Sequence, residues 1–150
     1  MEGKDKMTLG TFGAIMGFAS EMVGCSLDIF KTAIEKATDP VLKEILQGLL
    51  EEERKHYSLM EQTQRENVTE MILEPITGLR QEDYEVKIKL SDDAKDEDLL
   101  RMALILEGKE EQFFNDASGK VSLPEVSRIF RKITQKKDKN ISQLKPLNLS

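Results

Sequence analysis

Hydrophobic residues recur every three or four positions along most of the chain, which predicts four amphipathic helices. The first helix is expected over residues 9–37, with Thr8 as its N-cap. Asp39 and Pro40 then interrupt the pattern: Asp39 is placed to cap a second helix, and Pro40 suits its first turn. This second helix is expected over residues 40–66.

The helical pattern fails over residues 67–94, where Pro75 and Gly78 punctuate the chain. Hydrophobic residues there alternate with charged ones, which predicts a short extended piece containing Tyr84, Val86, Ile88 and Leu90. A connection of this length favours a crossover running along a bundle rather than a tight turn.

Helical spacing returns in the second half of the chain. It predicts a third helix over residues 96–118, with Gly119 as its C-cap. A fourth helix is expected to begin at Pro124 and to end before a flexible tail, residues 145–150.

The two halves of the chain resemble each other. A shift of 84 residues brings them into register without a gap, and the matched pairs include Ala19 with Ala103, Gly24 with Gly108, Phe30 with Phe114 and Pro40 with Pro124. Each half is therefore expected to form a helical hairpin. Together the hairpins predict one all-α domain, residues 1–150, folded as an antiparallel four-helix bundle.

Charge and cysteine content exclude several classes of protein. The net charge is −6, with basic and acidic residues intermixed, which argues against nucleic acid as a partner. Cys25 is the single cysteine, so the chain has no internal disulfide and no Cys-x-x-Cys pair for a rubredoxin-type iron or a structural zinc. These features predict a cytoplasmic protein.

The first predicted helix is unusually rich in apolar residues. Glu21 and Asp28 interrupt its apolar run before the length of about 20 residues that a membrane span needs, so no membrane contact is expected. Its apolar stripe is wide enough for burial on two sides. Small residues that would let another helix approach closely are Gly10, Gly13, Gly17 and Gly24. We therefore expect a homodimer through this helix.

Several polar residues fall on helix faces that should be apolar. They are Glu53 and His56 on the second helix, Glu107 and Glu110 on the third, and Lys137 and Asn140 on the fourth. An unpaired buried carboxylate costs several kcal/mol, so these groups need a cation beside them. A metal ion and the ammonium of Lys137 are the two candidates.

These residues make the chain similar to the rubrerythrin and ferritin-like di-iron carboxylate family. The similarity covers both hairpins, roughly residues 12–62 and 97–144, and the stretches 28–40 and 49–56 are similar to the family's first hairpin. Such proteins supply one Glu from each of the first and third helices, and Glu-x-x-His from the second and fourth. The resemblance implies a ferritin-like antiparallel bundle with a long crossover connection.

The resemblance also assigns roles to individual positions. Glu53 and His56 stand at the second-helix motif, Glu107 at the third-helix glutamate and Glu110 at an additional glutamate that rubrerythrins often have. The first-helix glutamate, however, falls on Val23. The fourth-helix motif falls on Lys137 and Asn140. The di-iron site implied by the family is therefore only partly intact.

Three states of this site follow. Lys137 forms a buried ion pair with Glu53, Glu107 or both, or else it extends past a helix end into solvent. In the third state, a single metal ion is held by Glu53, His56 and Glu107, with Glu110. Such a ligand set suits iron, manganese or zinc.

The functional expectation follows the state of the site. A partial site that binds one metal ion or none predicts a non-catalytic or regulatory role. The alternative is a metal-dependent oxidoreductase that reduces peroxide or handles iron, as the resemblance implies. That activity needs two irons, and the chain lacks both a full ligand set and a rubredoxin-like electron donor. The sequence identifies no small-molecule substrate.

Overall fold

Four α-helices dominate the computed structural model, which describes residues 8–67 and 75–148. They are α1 (Phe12–Lys36), α2 (Pro40–Glu66), α3 (Asp96–Ser118) and α4 (Pro124–Leu144). Short turns join α1 to α2 and α3 to α4, and these sequence neighbours pack most extensively against each other. The predicted four-helix, all-α architecture built from two hairpins is therefore present.

The start of α1 differs from the prediction. Thr11, not Thr8, is the N-cap, and its hydroxyl accepts a hydrogen bond from the Ala14 backbone N–H at 3.0 Å. Residues 8–10 instead run beside the crossover connection, where the Leu9 N–H donates to the Leu79 carbonyl at 3.1 Å. This pairing satisfies backbone groups that a longer helix would have satisfied internally, and so the helix begins later.

Acidic side chains fix the turn between α1 and α2. Asp39 caps α2, as predicted, by accepting a hydrogen bond from the Leu42 N–H at 2.9 Å. Asp96, at the start of α3, accepts from the N–H groups of Thr38 and Asp39, both at 2.9 Å, and from the Thr38 hydroxyl at 2.6 Å. These hydrogen bonds hold the pKa of Asp96 below its usual value. They also connect the second hairpin to the turn of the first.

The described part of the crossover contains a short 3₁₀-helix, Gln81–Asp83, and forms no strand ladder. The predicted extended piece therefore finds no partner strand; its hydrophobic side chains pack against the helices instead. Tyr84 is buried, and its hydroxyl donates to Asp116 on α3 at 2.7 Å. The rest of the predicted crossover, residues 68–74, and the last two residues of the predicted tail lie outside the described residues.

The core consists of two apolar clusters stacked along the bundle. One contains a row of edge-to-face aromatic rings with centroids 5.1–5.3 Å apart, formed by Phe18, Tyr84, Phe113, Phe114 and Phe130. The other is mainly aliphatic, with Leu42, Leu46 and Leu99 fully buried. Every helix passes from one cluster to the other at mid-length, and the buried charged residues Glu53, Glu107, Glu110 and Lys137 lie at that level.

Among the described residues, α1 is the only helix that is long and apolar enough to cross a membrane. A core helix of a soluble protein meets the same two criteria of length and composition. Here α1 places Ile15, Ala19 and Phe30 in the bundle core with no exposed surface. The expectations of a cytoplasmic chain without membrane contact remain predictions.

Candidate functional site

The four helices bring a group of polar side chains together at mid-height in the bundle. We call it the polar cluster; it comprises Ser26 from α1, Glu53 and His56 from α2, Glu107 and Glu110 from α3, and Lys137 and Asn140 from α4. Asn140 is half-buried, and the other six are at most 4% exposed. All six polar residues selected from the sequence therefore lie in one site.

Lys137 is at the centre of the polar cluster. Its ammonium nitrogen lies 2.9 Å from Glu53 Oε1, 3.0 Å from Glu107 Oε2 and 3.0 Å from Glu110 Oε1. The side chain has no exposed surface, so it does not extend into solvent. Burial alone would lower the pKa of Lys137, but the three carboxylates outweigh burial and hold that pKa well above its ordinary value.

Asn140 provides the second hydrogen bond that Glu107 accepts. Its side-chain amide donates to Glu107 Oε1 at 2.9 Å and to Glu52 Oε1 at 2.6 Å. Glu107 therefore accepts one hydrogen bond at each oxygen, from Asn140 and from Lys137. Both donors stand where the family resemblance places the α4 metal ligands. Under that resemblance, protein hydrogen-bond donors would stand in place of metal ligands.

Glu110 is the least compensated carboxyl of the three. The Ser26 hydroxyl donates to its Oε2 at 2.5 Å, whereas Oε1 approaches Lys137 without a well-aligned hydrogen bond. Burial, then the negative charge of Glu53 and a hydrogen bond to it, raise the pKa of Glu110 to about 8. The group therefore holds a proton at neutral pH.

His56 contacts Glu53 on the same helix, with Nδ1 3.2 Å from Glu53 Oε1. Burial, followed by the positive charge of Lys137, lowers the pKa of His56 to about 4. The imidazole is therefore neutral at physiological pH and does not serve as a counter-ion. Lys137 remains the cation of the cluster.

The position at which the resemblance would place a first-helix glutamate is apolar. Val23 has no exposed surface and belongs to the aromatic apolar cluster. Instead, α1 contributes Ser26, one turn further along, which the sequence analysis did not select. A signal for it was present, since Ser26 and Glu110 are 84 residues apart, the spacing of the repeat.

The same spacing separates the two members of the central ion pair, Glu53 and Lys137. Two contacts of the cluster therefore join residues that occupy equivalent positions in the two hairpins. If both hairpins carried Glu at the position of Glu53 and Lys137, two carboxylates would face each other in the core. Lysine in one hairpin replaces that repulsion with attraction.

The charges of the cluster do not balance. Of the buried side chains described here, Glu53, Glu107 and Glu110 carry carboxyl groups, and Lys137 carries the ammonium. Burial raises the pKa values of Glu53 and Glu107 as well, although Lys137 opposes this effect at both positions. The cluster therefore holds three carboxyl groups against one ammonium.

This donor set does not fit the di-iron centre that the family resemblance implies. Among residues 8–67 and 75–148, no group of three or more His, Cys, Asp or Glu side chains is arranged to hold a metal ion. The ammonium of Lys137 already contacts three carboxylate oxygens that would serve as metal ligands. A divalent ion at this position would be repelled by that charge.

In comparisons with known proteins, the chain matches no family model, no curated protein and no solved structure. The resemblance to the rubrerythrin and ferritin-like family therefore remains a prediction from the residues quoted above.

Proposed function

We propose that this protein is a ferritin-like four-helix bundle with a non-catalytic, regulatory role, in which the ammonium of Lys137 replaces metal as the cation of the site. The observation that carries the proposal is the contact of Lys137 Nζ with three carboxylates at 2.9–3.0 Å, without exposure to solvent. The protein then acts through what it binds rather than through metal redox chemistry.

Physical chemistry supports a stable, permanent role for this lysine. Removing a charge from water costs several kcal/mol, which a buried ion recovers only when its hydrogen bonds are well placed. Lys137 has three N–H donors and three carboxylates within reach. A metal ion would have to displace the ammonium and leave it buried without partners. The alternatives of a single bound metal and of a peroxide-reducing or iron-handling oxidoreductase both face this cost.

Metal analysis tests the proposal directly. The full-length protein is purified without added metal from cells grown with iron, manganese and zinc, and the metal content per chain is measured. We expect substoichiometric metal and no peroxide reduction. Two iron ions per chain would contradict the proposal and favour the oxidoreductase.

A single tightly bound metal ion would also contradict the proposal. In that case His56→Ala should lower the metal content, because the imidazole would be a ligand. The matched control is Lys55→Ala, which changes the preceding, exposed residue of the same helix.

A further inference from the structure

A cleft opens beside the polar cluster, between α1 and α3, and residues 84–87 of the crossover form its third side. Its cavity volume is about 280 Å³. The walls are mainly apolar and are formed by Phe18, Met22, Ile29, Tyr84, Val86 and Leu106. This composition is typical of small-molecule sites, which combine apolar walls with a few placed polar groups.

Glu110 and Ser26 supply the polar groups at the inner end of this cleft. Glu110 Oε1 lies 3.0 Å from Lys137 Nζ without an aligned hydrogen bond to it, and Oε2 accepts from the Ser26 hydroxyl. The cluster behind it holds three carboxyl groups against one ammonium, so a second cation would improve its charge balance. The cleft meets the polar cluster at Glu110 and Ser26, which are both among its lining residues.

The cleft mouth also carries negative charge on its α1 side. Glu21 is exposed there, and Glu85 and Lys87 of the crossover also line the cleft. Burial, followed by the charges of Glu21 and Asp28, raises the pKa of the Cys25 thiol. Lys109, on the α3 side, donates to the Asp83 carbonyl at 3.0 Å. That hydrogen bond holds the Lys109 ammonium towards the crossover.

We propose that the cleft binds a small primary amine with an apolar body, whose ammonium group pairs with Glu110. The inference rests on the proposed function, because a metal ion in the polar cluster would compete with the ligand for Glu110. The hydrocarbon part of the ligand contacts the apolar walls, and its ammonium donates to the Glu110 carboxylate. A carboxylate of the same length is repelled, and an alcohol keeps only the apolar contacts.

Three probes of matched length test the proposal: n-hexylamine, 1-hexanol and hexanoate. Binding to the full-length protein is measured by calorimetric titration. The pH is set above the pKa of Glu110, about 8, and below that of an alkylammonium group, about 10.4. We expect hexylamine to bind at least about tenfold more tightly than hexanol, the minimum for a charge-assisted hydrogen bond, and hexanoate not to bind.

Glu110→Gln keeps the shape of the side chain and removes its charge. It should weaken hexylamine binding by at least about tenfold and leave hexanol binding unchanged. The control is Glu97→Gln, which removes a charge from an exposed position on the same helix and should change neither affinity. Methyl resonances of Met22, in the cleft, should shift on binding, whereas those of the buried Met60 on α2 should not.

Equal affinity for hexylamine and hexanol, or unchanged hexylamine binding by folded Glu110→Gln, would overturn the proposal. So would resonance shifts confined to residues outside the cleft. Metal content is measured on the same samples. A metal-free protein that fails to prefer the amine contradicts this inference alone, whereas a metal-loaded protein contradicts the proposed function itself.

Discussion

Replacing Lys137 by methionine tests how strongly the structure depends on the buried ammonium. Methionine fills a similar volume without charge, so the change isolates the electrostatic contribution. Three carboxyl groups then remain buried without a cation. Removing one partner from a buried ion pair costs about 3–5 kcal/mol. We expect about 3 kcal/mol at neutral pH, the lower end, because Glu110 already holds a proton there.

Urea unfolding measures this loss. A destabilisation of about 3 kcal/mol lowers the urea midpoint by about 1–3 M, with an unchanged dependence of free energy on urea concentration. Lys136→Met is the matched control, because Lys136 is the exposed neighbour on the same helix and its replacement should cost less than about 0.5 kcal/mol. Adding Glu53→Gln to Lys137→Met should recover part of the lost stability, since it removes one uncompensated carboxylate.

The pH dependence provides a second check on Lys137→Met. Without the ammonium, the carboxyl pKa values rise further above the unfolded value, so these groups stabilise the fold below that value and lose the stabilisation as pH rises. The deficit of the variant should therefore shrink on acidification. The reasoning is refuted if Lys137→Met and Lys136→Met are equally stable, or if the deficit grows as the pH falls.

Three further predictions follow. The unfolding free energy should fall as pH rises from 6.5 to about 8, because folded Glu110 keeps a proton that the unfolded chain has released. Urea titrations at several pH values should show a shallower decline for Glu110→Gln. A triple variant restores the ligand pattern of the family that the sequence resembles: Lys137→Glu, Asn140→His and Val23→Glu. It should gain bound iron, measured per chain, and a folded variant without metal would contradict the resemblance. Gly17 faces open space in the monomer, so Gly17→Gln should preserve stability. In sedimentation experiments it should abolish the predicted dimer. A natural chain that is already monomeric would contradict the dimer hypothesis.

Hydrophobic periodicity was sufficient to predict the helices because the buried faces are continuous and the breaks are strong. Asp39 with Pro40 marks one hairpin turn, and Gly119 followed by Pro124 marks the other, where the observed helix ends agree with the predicted ones. The predicted start of α1 was wrong because the observed start depends on a tertiary contact. Leu9 pairs with the crossover backbone, and no local pattern reveals that pairing.

The polar cluster could be selected from sequence because charged residues on an apolar line are conspicuous. Glu53, Glu107 and Lys137 meet as that logic requires. Ser26 was not predicted, because a small hydroxyl residue on a helix gives no signal in the sequence until its partner, Glu110, is known. The cleft was also not predicted, since its third side comes from the irregular crossover residues 84–87, whose packing depends on the finished bundle.

The internal repeat gives a stringent test of why the cation resides on α4. Residues 53 and 137 are equivalent in the two hairpins, so Glu53→Lys combined with Lys137→Glu rebuilds their direct ion pair with the charges exchanged. The exchange is not neutral, however, because Lys137 also contacts both α3 carboxylates, whose repeat equivalents on α1 are Val23 and Ser26. A lysine at position 53 would keep the pair with position 137 and the neighbouring Glu110, but it would approach the α3 carboxyl groups from α2 and not from α4, where Lys137 contacts both of them. Urea unfolding should place the exchanged protein above Lys137→Glu alone and below the natural chain. Equal stability of the exchanged and natural proteins would show that the α3 carboxylates do not determine the position of the lysine.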